Sequence, residues 1–412
     1  MKYVLTGARL LDPATGTYRQ NASLLIEGDR IIDVGESTPA PDGATEIALQ
    51  GRVVMPGLID AHVHVVAETL DLWSNMVAPT SLAALRSARV MEDFLRRGFT
   101  TIRDLGGADY GLVRGVEEGL IDGPRIVICG KGLSTTGGHA DLRPRTDDRP
   151  GMMSDRLGSM GVIADGVDEV RKIARTYIKE GAGFIKIMAN GGVSSPNDPI
   201  HALQFSREEI SATVEEAENA GLYVAAHLYT DAAIRRCVEL GVHSLEHCNL
   251  IEPETADLAA ARGCIAVPTL VAYEALARDG EALGLGAESL AKIDIVREAG
   301  RRSLDVIRSA GLPMAFGTDL LGELRRYHSL EIDLLAEVLS PTEIIRSLTE
   351  TGARLCHLAD DAGSLAPGKL ADLIVVDGDP LADIGLLGAD GKHISAIMAR
   401  GRFFKNELGG IQ

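Results

Sequence analysis

Eight short apolar runs recur through the middle of the chain, at 58–65, 100–104, 125–129, 183–188, 222–227, 243–247, 264–268 and 313–319, with helix-length stretches between them. Strand–helix alternation predicts a parallel sheet with helices packed on it, and eight units predict a closed (β/α)8 barrel. Two of the intervening helices announce their starts. Ser206-Arg207-Glu208-Glu209 reads as a capping box, and Ser340-Pro341-Thr342-Glu343 adds a proline in the first turn. In such barrels the active site lies at the C-terminal ends of the strands. The last residues of each run are therefore the ones to read.

Both ends of the chain follow a different rule. Short strand-like runs at 3–5, 22–26, 30–34 and 52–55 are punctuated by the turn signals Asp12-Pro13 and Pro41-Asp42-Gly43, and the same style returns at 373–377 and 394–399. The two pieces are expected to pair into one small β-sandwich domain, residues 1–56 with 360–412, flanking a barrel of residues 57–359. A chain of 412 residues, 45% apolar, is long enough for both cores. The stretch 140–161 after the third strand is poorly patterned and reads either as a lid or as an ordered crossover.

Charge and cysteine usage narrow the function classes. A net charge of −18 argues against nucleic acid or an anionic membrane as partner, because both require basic surface. No run of apolar residues reaches membrane-spanning length, and the start Met1-Lys2-Tyr3-Val4-Leu5-Thr6-Gly7 carries no apolar signal region. The five cysteines, 129, 237, 248, 264 and 356, are scattered without Cys-x-x-Cys spacing, which suits reduced thiols in a cytoplasmic protein.

The strand ends carry a coherent set of side chains. The first run, Gly57-Leu58-Ile59-Asp60-Ala61-His62-Val63-His64, holds two histidines at i and i+2. A strand sends such residues to the same face, so both imidazoles can converge on one metal ion. The fifth run ends in His227, the sixth in His247 and the eighth in Asp319. On the fourth, Lys186 lies between Ile185 and Ile187. A buried ammonium is costly and its pKa falls. The neutral amine could add CO2 as a carbamate able to bridge two metals; a salt bridge or a Schiff base are the other readings.

The set His62, His64, Lys186, His227, His247 and Asp319 resembles the binuclear, carboxylated-lysine branch of the amidohydrolase superfamily. The run from Gly363 to Leu373 looks like that superfamily's return into its β-sandwich. Thr100-Thr101-Ile102-Arg103-Asp104 and Thr135-Thr136-Gly137-Gly138-His139 resemble its Xaa-Pro dipeptidase (prolidase)-like and ochratoxin amidase-like subgroup. The resemblance implies two divalent metal ions, zinc being expected, a carbamate on Lys186, and attack of a metal-bridging hydroxide on an amide carbonyl. Asp319 would then pass the proton to the leaving amine. The expected partner is a small-molecule or dipeptide substrate, and a homo-oligomer is expected.

Two further residues are candidates for substrate contact. Tyr229, two places beyond His227, would hold the carbonyl oxygen if the strand continues. His139, in its glycine-rich turn, would bind a substrate carboxylate as an imidazolium. Core packing for Tyr229 and a backbone-capping role for His139 are the structural alternatives. The deaminase branch has a glutamate three residues after the fifth-strand histidine; Thr230 stands there, which counts against deamination. The remaining enzymatic alternative is a carbamate, urea or aryl-amide hydrolase acting on a xenobiotic or secondary metabolite.

Overall fold

The computed structural model describes residues 1–147, 149, 155–193, 195 and 198–408. The chain opens with β1 (Lys2–Asp12), β2 (Thr17–Glu27), β3 (Arg30–Gly35), β4 (Thr45–Ala48) and β5 (Val53–Pro56). It continues with β6 (Leu58–Val63), β7 (Phe99–Asp104), β8 (Arg125–Ile128), β9 (Gly132–Ser134), β10 (Gly161–Ile163), β11 (Ile185–Met188), β12 (Val224–Thr230), β13 (Ser244–Leu250) and β14 (Ile265–Val267). The last strands are β15 (Leu373–Val376), β16 (Ile394–Ala399) and β17 (Arg402–Asn406).

The two ends of the chain share one mixed sheet, ordered β17-β16-β15-β5-β1-β2-β3, with β4 added alongside β1. Alternation along its strands divides two cores, as a period of two requires. Val54, Leu373 and Val375 point to the side filled by Leu5, Leu24 and Ile26. Their neighbours Val53, Met55, Ile374 and Val376 face the larger core built on Leu58, Phe99 and Phe316. The sheet is thus apolar on both faces where it meets the rest of the fold.

The middle of the chain is α/β. Strands β6-β7-β8 form one parallel sheet, and β10-β9-β11-β12-β13-β14 form another. Backbone bonds join the two on both sides. Gly183 N donates to Ile128 O at the end of β8 (2.8 Å). On the other side Ala315 N donates to Ala266 O in β14 (2.9 Å), and Ala61 N in β6 donates to Phe316 O (2.8 Å). The run 313–319, expected as an eighth strand, occupies this position with a single ladder bridge, Met314 to Ala266. Both anticipated capping boxes are formed, at Ser206/Glu209 and Ser340/Glu343.

Strands β9 and β10 were not legible in the sequence; they follow β8 and bring the chain back alongside β11. Of the stretch 140–161, residues 148 and 150–154 lie outside the described residues, as do 409–412 at the end of the expected sandwich domain. All five cysteines are buried thiols, as packing residues would be. Among the described residues no helix is long and apolar enough to cross a membrane.

Candidate active site

The first two histidines meet the aspartate. His62 and His64 each place Nε2 3.3 Å from Asp319 Oδ1, and the donor atoms of all three lie within 4.8 Å of one another. Asp319 reaches them because its segment runs against β6: Thr318 N and Asp319 N both donate to His62 O (3.3 and 2.8 Å). Gly317 permits that approach, since a Cβ there would lie 2.4 Å from Val267 Cγ1 and 2.8 Å from His62 Cβ. Each histidine has its other ring nitrogen fixed. His62 Nδ1 bonds Glu246 Oε2 (2.8 Å) and His64 Nδ1 bonds Gly106 O (3.0 Å), so both rings turn Nε2 to the same point.

The remaining predicted ligands close the group. The His62 ring lies 5.0 Å from that of His247, and His247 lies 4.6 Å from His227. In β13, Glu246 and His247 are consecutive and ought to face opposite ways, yet both touch the site. His247 has φ 73 and Cys248 φ 58, a left-handed conformation disfavoured for such residues that recurs at functional positions. The pairing of β12 with β13 shifts register beyond Leu228/His247. This bulge turns the imidazole inward beside its neighbour. Thr269, also left-handed at φ 54, then bonds His247 Nδ1 (2.8 Å) through its hydroxyl.

The donor set fits metal ions, and one buried atom makes the case. His227 Nε2 is enclosed with no hydrogen-bond partner among the described residues, an expensive state that a cation would relieve. Burial above all pushes His227 and His247 well below the usual imidazole range, leaving the neutral form that binds metal. Burial would raise the Asp319 carboxyl, but the charge and hydrogen bond of His62 outweigh it and keep it ionised. Lys186, in β11, is 2% exposed and forms no ion pair or hydrogen bond among the described residues. Burial is the largest influence on its amine and pushes the pKa down, against the charges of Glu246 and Asp319.

These six side chains open into one cavity of about 370 Å³. Part of its wall is apolar, contributed by Trp73, Met76, Met160, Val162 and Ile163. His139 lines it too, stacked on the His227 ring at 4.3 Å and 19°. Tyr229 does not. It is 2% exposed, packed edge-on to His227 at 4.7 Å, behind the histidines rather than on the open wall. Its hydroxyl accepts a bond from Tyr273 Oη (3.2 Å), so its own proton remains available.

Several supporting residues escaped the sequence reading. Glu246, fully buried, ties His62 Nδ1 to Arg103 Nη2 (2.7 Å) and Ser244 Oγ (2.5 Å). Asp60 accepts from His62 N, Thr318 N and Thr318 Oγ1 and meets His328 Nε2 at 3.0 Å, stitching β6 to the aspartate segment. The available signal was a carboxylate close to a ligand histidine in a buried strand: Asp60 two places before His62, and Glu246 one place before His247. Asp104 serves the site through the backbone. It accepts from the amides of Val65, Gly106 and Ala108 and shapes the loop whose Gly106 carbonyl holds His64.

A cluster of histidines, a lysine and an aspartate at the ends of parallel strands, opening into one cavity, defines a hydrolase-type centre of a known class. The chain belongs to the amidohydrolase family, which its residues 53–403 match. It is 32% identical to an ochratoxinase of Aspergillus niger over 98% of this chain and 87% of that protein. Among solved structures it is similar to a prolidase complexed with N-methylphosphonate-L-proline, at 44% identity and TM-score 0.96, covering 98% of this chain and 100% of that one. A Xaa-Pro dipeptidase with bound methionine in the active site is 28% identical, with TM-score 0.87 and the same shares covered.

Proposed function

We propose that this protein is a binuclear metal-dependent amidohydrolase that cleaves the amide bond of dipeptides of the Xaa-Pro type or of N-acyl amino acids. The observation that carries the reading is the convergence of His62, His64, Lys186, His227, His247 and Asp319 on one cavity whose wall also carries His139. On this reading the two linked parallel sheets are a (β/α)8 barrel over residues 57–359, and the terminal sheet is a β-sandwich of residues 1–56 and 360–412. The protein acts on a small-molecule or dipeptide substrate in the cytoplasm as a homo-oligomer.

The six residues would hold two divalent ions, zinc in the first instance. When bound, the ions supply Lewis acidity and lower the pKa of water to about 7. The desolvated Lys186 amine suits carbamate formation: its nitrogen bonds the carbon of CO2 and releases a proton, giving an anionic oxygen pair. Asp319 sits between His62 and His64 and would take the proton of the attacking water and deliver it to the leaving amine. Tyr229, off the cavity wall and packed edge-on against His227, would steady that imidazole rather than meet the substrate carbonyl. His139 would receive the α-carboxylate of the leaving amino acid.

A panel of dipeptides, N-acyl amino acids, carbamates and phenylureas, assayed with zinc and bicarbonate, tests the reading. Turnover concentrated in amides bearing a free α-carboxylate is expected. Turnover confined to carbamates or ureas would overturn it in favour of the xenobiotic-hydrolase alternative.

A further inference from the structure

His139 is held by more than its own turn. Its backbone N donates to Gln204 Oε1 (3.1 Å), and Gln204 Nε2 donates in turn to Asp198 Oδ2 (3.2 Å). Its Nδ1 lies 2.8 Å from Ser195 Oγ and 3.5 Å from Asp198 Oδ2. The Ser195 hydroxyl donates to Asp198 Oδ1, so that oxygen is left to accept, and the proton between serine and histidine belongs to Nδ1. The ring nitrogen remaining for the cavity is Nε2. Asp198 is 3% exposed and also accepts from Gly192 N (2.7 Å).

A buried cation fastens the loop that carries these groups. Lys292, in the helix Ala287–Ser309, is 8% exposed, and its Nζ donates to Ser195 O (2.9 Å), Asp198 O (3.2 Å) and Gly192 O (3.3 Å). An ammonium surrounded by three carbonyls satisfies all its donors and ties Gly192, Ser195 and Asp198 to the helix. Packing is close on the histidine side as well. A Cβ on Gly192 would lie 1.8 Å from His139 Cε1 and Nδ1, so the loop touches the ring it orients.

We infer that Ser195 and Asp198, each held through its carbonyl by Lys292, are positioning residues that fix His139 with Nε2 toward the substrate, and thereby set the preference for a free α-carboxylate. The inference rests on the proposal that His139 binds that carboxylate. The pair takes up the Nδ1 edge of the ring, and the stacked His227 covers its face. Only one edge can meet a ligand.

The test compares the best-cleaved substrate of the panel with its α-carboxamide, in wild type, His139→Ala, Asp198→Asn, Ser195→Ala and Lys292→Met. Wild type should favour the carboxylate by about 10 to 100-fold in kcat/KM, the range of one charged hydrogen bond. Asp198→Asn and Ser195→Ala should lose most of that preference through KM, with kcat for the carboxamide kept within about threefold. Lys292→Met should follow them in direction. A role in general loop stability would instead lower kcat on both substrates equally, which overturns the inference. If His139→Ala keeps the preference, the underlying assignment of His139 fails. If His139→Ala loses it while Asp198→Asn and Ser195→Ala keep it, that assignment stands and the positioning inference fails. Should Asp198→Asn not fold, Ser195→Ala, which removes a single hydroxyl, decides.

Discussion

Glu246→Gln separates what a buried carboxylate does for stability from what it does for the metal site. Both Glu246 and Arg103 have fully buried side chains. Burial alone would raise the Glu246 carboxyl, but the Arg103 charge and the His62 hydrogen bond outweigh it and hold it well below the usual range. Removing one partner of such a pair costs about 3–5 kcal/mol, because the other charge stays buried without compensation. The glutamine amide retains one acceptor, which places the loss near the lower end. Its amide nitrogen must face either Arg103, donor against donor, or His62. In the second case Nδ1 becomes an acceptor and the proton moves to Nε2, the atom that faces Asp319. Metal affinity should fall about 10 to 100-fold, as expected when a ligand histidine loses its orienting partner. Urea unfolding reads the first effect and competition with a chromophoric chelator the second. Adding Arg103→Met should restore part of the stability and none of the affinity. A single variant that unfolds at the wild-type midpoint and binds metal within about twofold would refute the reasoning.

Asp319→Asn should keep the fold and lower kcat by about 10² to 10⁴-fold, the usual scale for a general acid–base; a loss of only a few-fold would remove it from proton transfer. Lys186→Ala should abolish most activity, with partial recovery in acetate or propionate, and full activity without them would exclude the carbamate. Glu331 is fully buried, accepts from the amides of Leu270 and Val271, and is pushed up to about 8 by burial. Between the usual carboxylate range and pH 8 the folded state keeps a proton that the unfolded state gives up. The contribution of Glu331 to stability is therefore full below that window and declines as pH rises through it. Glu331→Gln, which has no proton to lose, should flatten the decline, and parallel pH curves for the two proteins would contradict this assignment.

What the sequence made legible was the part that depends on short-range pattern. His62 and His64 share a strand face by parity, and the ends of successive runs fall together whenever parallel strands lie side by side. The capping boxes at Ser206 and Ser340 are equally local. Features set by tertiary geometry were hidden. The left-handed backbone at His247 breaks the alternation that parity assumes, so His247 turns inward beside Glu246 from a place where it ought to point away. The run 313–319 follows β6 by backbone bonds from Ala61, Thr318 and Asp319, but its pairing is too sparse for a regular strand. Tyr229 does lie on the continuing strand, yet its hydroxyl partner is Tyr273, in a helix 44 residues further along, a contact that parity does not reach. The Ser195–Asp198 contact to His139 spans more than 50 positions and has no periodic signature.

The central claim is that one cavity holds one metal-dependent hydrolytic site. Its most direct test strips the purified protein with a chelator and follows amide hydrolysis as zinc is returned in bicarbonate buffer. The stripped protein should be inactive, and activity should rise and level off at two equivalents of zinc per chain. Full activity without metal, or saturation at a single equivalent, would contradict it.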